Sequence, residues 1–410
     1  MRVSDMEEWK EYRLGDLCYK VCSGGTPKST CSAYYDSGTI PWLNTKEINF
    51  NRIYETESHI TKEGLNNSSA KWIDANSVIV AMYGATAGRV AVAKVPMTTN
   101  QACCNLMIDD SKAEYDFIYY YLSNSYKHLL MMANGAAQQN LNAQILKDFI
   151  ISLPSLPTQR RIASILSSLD DKIECNRKIC ANLEAQAQAL FKHWFVDFAP
   201  FKNGKFVESE LGMIPEGWRV GTLGEIISTN KRSYKGDFAN TIHYLDTGSI
   251  TNNVIDTIQV LDPKVDKIPS RAKRAVTEGD IVFSSVRPNQ KHYGFLFNPI
   301  PELVVSTGFI VITANWSGYR YFVYRYLTQD SVIKKLQAIA EQSVSTFPSI
   351  NATDVEKLKV VIPPNDIVGE FATINCKMMF QIDVLQQESS RLASLRDTLL
   401  PKLMSGEIKV

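Results

Sequence analysis

The sequence lacks the features of a membrane or secreted protein. No uncharged apolar run reaches the roughly 18 residues that a membrane helix needs. The first residues, MRVSDMEEWKEYRLGDL, contain no apolar stretch of the kind found in a secretory leader. We therefore expect a cytoplasmic protein with no membrane partner.

The sequence is also poor in patterns that bind metals or carry out acid–base catalysis. Its five histidines are scattered, without a serine or carboxylate neighbour that would suggest a triad. The eight cysteines include an adjacent pair and two within one predicted helix, which predicts reduced thiols rather than a disulfide framework. No histidine lies at metal-ligand spacing from Cys18, Cys22 and Cys31. We expect no metal and no catalytic residue in this chain.

No stretch has the pattern of a cofactor site. Pro27 stands where a phosphate loop has a glycine before its lysine, and Gly84 and Gly88 lack the third glycine of a dinucleotide loop. An adenine methyltransferase needs Asn or Asp followed by two prolines and an aromatic residue. Residues 362–365 reverse that order and predict a turn at the start of a helix. We expect no cofactor in this chain.

Opposite charges nearly cancel, giving a net charge of +1. The chain is therefore not coated with basic residues. Between Lys264 and His292, however, seven basic residues outnumber three acidic ones. A local excess of this kind predicts an interaction surface.

What the sequence does have is two long helix patterns. Residues 158–196 place apolar side chains at alternating steps of four and three without proline or glycine, and residues 366–403 show helical spacing again. The first seam is Ile162, Leu166, Leu169, Ile173, Asn176, Cys180, Leu183, Ala187, Leu190 and Trp194, and the second is Ile367, Phe371, Ile374, Met378, Ile382, Leu385, Leu392, Leu395, Leu399 and Leu403. An exposed seam needs a partner, so we expect these helices to pair.

Similar sequences precede both predicted helices, at a constant offset of 209 residues. Leu141-Asn142-Ala143 corresponds to Ile350-Asn351-Ala352, and the opening YRLGDL at 12–17 corresponds to GTLGEI at 221–226. Predicted strands lie at 40–43, 77–83, 89–95, 104–108, 278–284, 294–297 and 304–313, with helical segments at 115–132 and 319–327. A polar link occupies 200–212. Two similar halves in one chain are the covalent counterpart of a symmetric dimer.

The predicted fold class is α+β. Two similar globular α/β domains would be joined and spaced by two long helices that form an antiparallel coiled coil, with a pseudo-twofold internal repeat. The whole chain resembles the specificity subunits of type I DNA restriction–modification enzymes. The resemblance is carried by LPSLPTQRRIASIL at 153–166, LFKHWFVDF at 190–198, ELGMIPEGW at 210–218 and LLPKLMSGEI at 399–408.

That resemblance implies target-recognition domains at 1–154 and, with the link, at 200–363, and conserved long helices at 155–199 and 364–410. It implies a non-catalytic subunit in which each domain reads half of a bipartite duplex DNA target. The helices would set the gap and dock modification subunits that transfer methyl from S-adenosylmethionine to adenine N6. Restriction subunits, where present, would add chemistry that uses ATP and Mg. The alternatives are a structural coiled-coil scaffold and a self-contained methyltransferase, and missing cofactor motifs oppose the latter.

Residues that read DNA should combine cations for phosphates with polar side chains for base edges. In the first domain the candidates are Thr26, Lys28, Asn44, Thr45, Lys46, Lys71, Tyr83, Arg89, Asn100 and Gln101. In the second they are Lys231, Arg232, Lys235, Arg271, Lys273, Arg274, Arg287, Asn289, Gln290, Lys291 and His292. Arg287 and the Asn289-Gln290 pair suit base reading, since Arg pairs bidentately with guanine and Asn or Gln with adenine.

Two features of the first long helix have alternative interpretations. Asn176 either fixes the helix register or is rotated to solvent. The aromatic cluster of Phe191, Trp194, Phe195 and Phe198 is either an anchor for a modification subunit or packing at the helix junction.

Overall fold

Two repeated domains and two long helices make up the chain. The computed structural model describes residues 9–133, 141–234, 241–343 and 347–410. The fold divides into two compact units, one formed by Met1–Ile173 with Arg391–Val410 and the other by Glu174–Ser390.

The first domain is mainly β-structure with four short helices. Its strands are β1 (Lys10–Arg13), β2 (Cys18–Ser23), β3 (Ile40–Leu43), β4 (Asn51–Ile53), β5 (Ser58–Ile60), β6 (Trp72–Ile73), β7 (Val78–Ala81), β8 (Val90–Ala93), β9 (Met97–Thr99), β10 (Cys103–Ile108) and β11 (Ile150–Leu153). Its helices are α1 (Lys62–Asn66), α2 (Tyr115–Asn124), α3 (Tyr126–Ala133) and α4 (Ala143–Asp148). The first long helix, α5 (Leu156–Phe195), follows.

The second domain has the same kind of composition and leads into the second long helix. Its strands are β12 (Phe206–Ser209), β13 (Gly212–Pro215), β14 (Arg219–Thr222), β15 (Ile227–Thr229), β16 (Ile242–Leu245), β17 (Ile250–Thr251), β18 (Val254–Ile255), β19 (Gln259–Leu261), β20 (Ala272–Ala275), β21 (Ile281–Ser284), β22 (Tyr293–Phe295), β23 (Leu303–Ser306), β24 (Phe309–Ala314) and β25 (Lys359–Ile362). The helices are α6 (Tyr319–Leu327), α7 (Asp330–Glu341), α8 (Ala352–Glu356) and the long α9 (Asn365–Met404).

The strand orders of the two domains correspond. The first domain has sheets β2-β10-β7-β8-β4 and β5-β3-β9-β6 and the pair β1-β11. The second has β15-β24-β21-β22 and β19-β16-β23-β20 and the pair β14-β25. Apart from β4, which extends the first domain's sheet, each strand of these sheets and pairs has a counterpart at the same place in the order. The second domain adds the two-stranded sheets β12-β13 and β17-β18. This agreement confirms the two repeated α/β domains predicted from the sequence.

Four strands are covered on both faces. Every residue of β7, β8, β21 and β22 is buried. Strands of this kind need continuous apolar runs rather than alternation, which explains VIVA in β7 and IVFS in β21. The helices that follow the sheets supply the rest of each core, with Phe117 and Leu122 in the first domain and Phe322 and Leu327 in the second.

The repeated asparagines begin short helices. The side chain of Asn142 accepts a hydrogen bond from the backbone N–H of Ile145 at 2.9 Å, and that of Asn351 accepts one from Asp354 at 3.1 Å. An asparagine at this position satisfies a backbone N–H that the helix itself leaves unpaired. The repeated sequence upstream of each long helix therefore produces the same N-terminal cap on the short helices α4 and α8.

Both long helices fall within two residues of their predicted ends. In the second unit their contacts run in opposite order, because Asn176 lies against Leu385 whereas Phe195 lies against Phe371, with ring centroids 4.8 Å apart. The helices are therefore antiparallel in this unit. Asn176 is fully buried, which excludes its rotation to solvent.

The buried stripe of α5 follows the predicted seam only to Ala187. Beyond it, Phe191 and Phe195 are 1% and 6% exposed, whereas the predicted Leu190 and Trp194 are half-buried. The aromatic cluster packs within the second unit, since Phe195 also contacts Phe322 at 5.0 Å between ring centroids. Of the two interpretations of this cluster, packing fits the structure.

The other seam positions vary in burial. Met379 is buried beside the predicted Met378, which is half-buried, and Leu395 is 47% exposed. The buried seam positions are Ile162, Leu166, Ile173, Asn176, Cys180, Ala187, Phe371, Ile382, Leu385 and Leu403, and the half-buried ones include Leu169, Leu183, Leu392 and Leu399.

The polar link at 200–212 contains β12, which pairs with β13 as an antiparallel hairpin. One predicted segment differs from the structure. The single helix expected at 115–132 is interrupted at Ser125, so that α2 and α3 are separate helices. Among the described residues, no helix is long and apolar enough to cross a membrane.

Candidate nucleic-acid interface

The candidate residues of the first domain gather where two parallel strands end. β3 and β9 are parallel, so their carboxyl ends meet at one edge of the sheet. The N–H of Asn100, just after β9, donates to the carbonyl of Leu43 at 2.9 Å. The glycine loop joins this edge because the Gly25 N–H donates to the carbonyl of Thr99 at 2.8 Å and the Thr26 hydroxyl donates to Gln101.

The loop between β7 and β8 reaches the same edge. The backbone N–H of Met82 donates to the carbonyl of Ala102 at 2.8 Å. The structure therefore brings together the loops at 24–28, 44–46, 82–89 and 100–102. Lys71 is exposed in the segment that precedes β6, which pairs with β9.

The second domain repeats this arrangement. β16 and β23 are parallel. The N–H of Thr307, after β23, donates to the carbonyl of Arg271 at 2.8 Å, and the N–H of Ser285 donates to Gly308 at 2.8 Å. The N–H of Ala275 donates to Arg232 at 3.3 Å. Segments 231–234, 271–275, 285–292 and 306–308 are thereby neighbours.

Several candidate side chains have partners inside their own domain. The Asn100 side chain is 7% exposed and accepts a bond from the Ala102 N–H at 3.1 Å. Arg232 pairs with the buried Asp280 at 2.5 Å. These contacts stabilise the loops from within, so both side chains are partly committed to structure.

Other candidates have a mixture of roles. Asn44 caps a short turn with Glu47, and Thr45 lies beside it. Lys46 pairs with Glu57 at 2.5 Å, and Arg89 donates to Asn49 at 3.0 Å. In the second domain Lys291 pairs with Asp330 at 2.9 Å, and His292 Nδ1 lies 2.7 Å from the carbonyl oxygen of Ile250. Tyr83 is half-buried. Exposed candidates are Thr26, Lys28, Lys71, Gln101, Lys231, Arg271, Lys273, Arg287, Asn289 and Gln290. Lys235 lies outside the described residues.

Arg274 is unusual among these cations. It is half-buried, its Nε has no hydrogen-bond partner among the described residues, and burial lowers the pKa of its guanidinium. A buried donor without a partner costs free energy.

Sequence reasoning missed two polar residues at these edges. Thr247 follows β16 and its methyl carbon lies 2.9 Å from where a side chain on Gly308 would begin. Thr307 takes the place that Gln101 has in the first domain. The sequence does carry a signal for Thr247, because Tyr244-Leu245-Asp246-Thr247 is similar to Trp42-Leu43-Asn44-Thr45, which contains two first-domain candidates.

The glycine loop of the first domain serves close packing. A side chain on Gly24 would begin 2.1 Å from the carbonyl oxygen of Thr99, and one on Gly25 would begin 2.2 Å from the backbone of Ser69. Only glycine fits such approaches. Cys18, at the opposite end of β2, is half-buried, and burial raises the pKa of its thiol to about 12. Within the described ranges, no three His, Cys, Asp or Glu side chains converge as metal ligands.

The sequence is similar to those of known proteins. A family profile described as "Type I restriction modification DNA specificity domain" matches residues 6–185 and 215–388. The chain is 28% identical to the type I restriction enzyme MjaIX specificity subunit of Methanocaldococcus jannaschii, covering 98% of this chain and 94% of that protein. It is 23% identical to the HindI specificity subunit of Haemophilus influenzae, covering 98% and 100%.

The fold also has a counterpart among solved structures. The crystal structure of a type I restriction–modification S subunit from M. genitalium matches with a TM-score of 0.53 and 18% identity, covering 98% of both chains.

Proposed function

Because the chain belongs to the type I restriction modification DNA specificity family, we propose that it reads a bipartite duplex DNA target with one half assigned to each repeated domain. The observation that carries this proposal is the repeated loop edge: both domains gather polar and basic loops at the carboxyl ends of a parallel strand pair. Two similar reading edges on one chain suit a target with two specified halves.

The long helices would set the gap between the halves and dock the partner subunits. Their antiparallel contacts in the second unit support pairing as a coiled coil. The partners would be modification subunits that bring S-adenosylmethionine and methylate adenine N6, with or without restriction subunits that bring ATP and Mg. The chain itself would supply recognition and no catalytic group.

The test is modification mapping. This chain is expressed with its modification subunit in a methylation-deficient host, and N6-methyladenine is mapped across the genome. A motif with two specified halves around a fixed gap is the expected result. Methylation at one continuous short site would contradict two-domain reading, and loss of all methylation would favour the scaffold alternative.

Two double variants test which domain reads which half of the target. Thr26→Ala with Gln101→Ala removes polar groups from the first domain's edge, and Arg271→Ala with Lys273→Ala removes cations from the second. Each double variant should alter only one half of the motif. Changes in both halves from either variant would contradict the assignment.

The net charge of +1 predicts weak binding by the isolated chain. Affinity that depends on phosphate contacts falls steeply with salt, and partner subunits would add contacts around the duplex. Fluorescence anisotropy with the target duplex should show affinity weaker than about 1 μM for the chain alone and a tighter, salt-sensitive complex with modification subunits. Nanomolar binding by the isolated chain would contradict this.

Uptake of S-adenosylmethionine by the chain alone, measured by calorimetry, would instead support a self-contained methyltransferase.

A further inference from the structure

The two domains present the same eight-residue hairpin loop. Residues 82–89 connect β7 to β8, and residues 285–292 connect β21 to β22. The strand pairs flanking both loops have the same register at an offset of 203 residues: Val80 pairs with Val90 as Phe283 pairs with Tyr293. The loops are therefore equivalent position by position.

Their backbone hydrogen bonds are repeated as well. Four bonds from a backbone N–H to a carbonyl in the first loop have counterparts in the second. Ala81 donates to Arg89 as Ser284 does to His292, both at 2.9 Å, and Ala87 donates to Gly84 at 3.1 Å as Gln290 does to Arg287 at 2.9 Å. Met82 donates to Ala102 as Ser285 does to Gly308, both at 2.8 Å, and Leu141 donates to Met82 at 3.0 Å as Ile350 does to Ser285 at 2.8 Å. These bonds hold corresponding positions of both loops against the same neighbouring segments, although the N–H of Gly88 donates to Ala81 at 2.8 Å whereas that of Lys291 donates to Pro288 at 3.0 Å.

The conformation requires a left-handed backbone at two positions. In the first loop these positions are Gly84 and Gly88, with φ of +82° and +79°. In the second loop they are Arg287 and Lys291, with φ of +48° and +57°. Glycine adopts this region without steric cost, whereas other residues are strained there and persist mostly where function requires the side chain.

The first-loop glycine leaves open space where the second loop has an arginine. A side chain on Gly84 would have no heavy atom within 4 Å. Arg287 is exposed, and its guanidinium carbon lies 5.2 Å from the ring centre of Phe347. The Arg287 N–H donates to the carbonyl of Pro348 at 2.9 Å, so the backbone is fixed while the side chain faces outward.

Lys291 is held differently. Its ammonium pairs with Asp330 on α7 at 2.9 Å, and the N–H of Asn289 donates to Gln337 on the same helix at 3.2 Å. These contacts anchor the loop to the domain. Arg287 therefore remains as the strained cation whose side chain is exposed.

We propose that these loops are equivalent DNA-reading elements and that Arg287 determines specificity, by pairing with a guanine in the half of the target read by the second domain. This inference rests on the proposed function. Arg presents two N–H donors that match the O6 and N7 acceptors of guanine in the major groove. In the first domain Gly84 contributes no side chain, so that loop would approach its half-site through backbone and neighbouring groups.

The test replaces Arg287 with residues that suit a left-handed backbone. Arg287→Gly copies the first loop, and Arg287→Asn uses the residue found with positive φ at Asn76, Asn230, Asn252 and Asn253. Both should fold with a thermal midpoint no lower than that of wild type, since neither is strained there as arginine is. The control is Lys357→Ala, an exposed cation at the end of α8 in the same domain.

The readout is the methylated motif of the complex with modification subunits. Both Arg287 variants should lose discrimination, by about tenfold to a hundredfold, at one G·C pair in one half, while the other half and the Lys357→Ala motif stay unchanged. If wild type methylates a bipartite motif and both variants keep it intact, Arg287 does not determine specificity. If wild type yields no bipartite motif, the proposed function itself fails, so the two failures are distinguishable.

Discussion

Arg325 and Glu184 form an ion pair in which the arginine side chain is only 1% exposed. Arg325 lies on α6 of the second domain and Glu184 on the long helix α5. The Nε of Arg325 also donates to Asn375 on α9 at 3.2 Å. A single side chain of the domain thus contacts both long helices within this unit.

The first domain has a counterpart at the same place. Tyr120 on α2 corresponds to Arg325, since Phe117 and Phe322 lie three residues before them. The Tyr120 hydroxyl donates to Asp170 on α5 at 2.6 Å, and Asp170 pairs with Arg396 on α9 at 2.7 Å. Each domain is therefore joined to the helices by a polar network around one position of its helix.

Removing Glu184 should destabilise the protein strongly. Glu184→Ala leaves the Arg325 guanidinium buried without its carboxylate, and breaking a buried pair costs about 3 kcal/mol or more. The free energy of unfolding, measured by urea denaturation, should fall by about that amount. The control is Asp197→Ala, which removes an exposed pair with Lys192 and should cost about 0–1 kcal/mol. Equal losses from the two variants would mean that the Arg325 pair contributes no more than a surface pair.

Tyr120→Phe should cost about 1.5 kcal/mol, because it removes a hydrogen bond to a charged acceptor and keeps the ring. Asp170→Asn should cost more, since it also weakens the pair with Arg396. Tyr121→Phe is the matched control on the same helix, because the Tyr121 hydroxyl only accepts a 3.3 Å bond from the backbone of Ser152. Thermal and urea unfolding should show the largest loss for Asp170→Asn, a smaller loss for Tyr120→Phe and the smallest for Tyr121→Phe. A loss for Tyr121→Phe as large as for Tyr120→Phe would contradict the role of Asp170.

The long helices and the repeat were predictable because their signals extend over many residues. Some predicted seam positions were wrong, because the turn of the helix and the heptad repeat do not stay in phase. A straight helix turns every 3.6 residues and drifts by about 20° per heptad. Accordingly the buried positions move from Leu190 and Trp194 to Phe191 and Phe195 near the end of α5.

The polar contacts between domains and helices left no comparable signal. Arg325 and Asn375 are buried, yet their partners lie far away in the chain, and sequence alone cannot show that distant charges meet. The same reason limits the candidate interface. Arg232 was predicted from its residue type, but Asp280, which binds it, comes 48 residues later.

Asn176→Leu should stabilise the protein. The Asn176 amide nitrogen donates to Glu388 at 2.7 Å, but its Oδ1 is buried and has no partner among the described residues. Replacing an unsatisfied polar group in the helix seam with leucine should raise the free energy of unfolding by about 1 kcal/mol. Asn182→Leu, an exposed position on the same helix, should give no such gain. A loss of stability in Asn176→Leu would show that the bond to Glu388 outweighs the unpaired oxygen.

Asp116 should make stability fall as the pH rises from about 4 to about 7. Burial raises the pKa of Asp116, although the nearby Arg52 guanidinium opposes the shift. A carboxyl with a raised pKa in the folded state stabilises the fold when protonated, so its contribution is present below its unfolded pKa of about 3.9 and is lost as the pH rises through the folded pKa. Asp116→Asn stays neutral throughout.

The test measures the urea midpoints of wild type and Asp116→Asn at both ends of that range. Relative to wild type, the midpoint of the variant should be higher at the higher pH than at the lower pH. Asp109→Asn is the control of opposite sign. Hydrogen bonds from Ser111 lower the pKa of Asp109, so its carboxylate stabilises the fold once ionised and that contribution is lost at low pH. Relative to wild type, the Asp109 variant should therefore lose stability as the pH rises to about 4, below the range used for Asp116. The same trend in both variants would show that burial does not govern the Asp116 carboxyl.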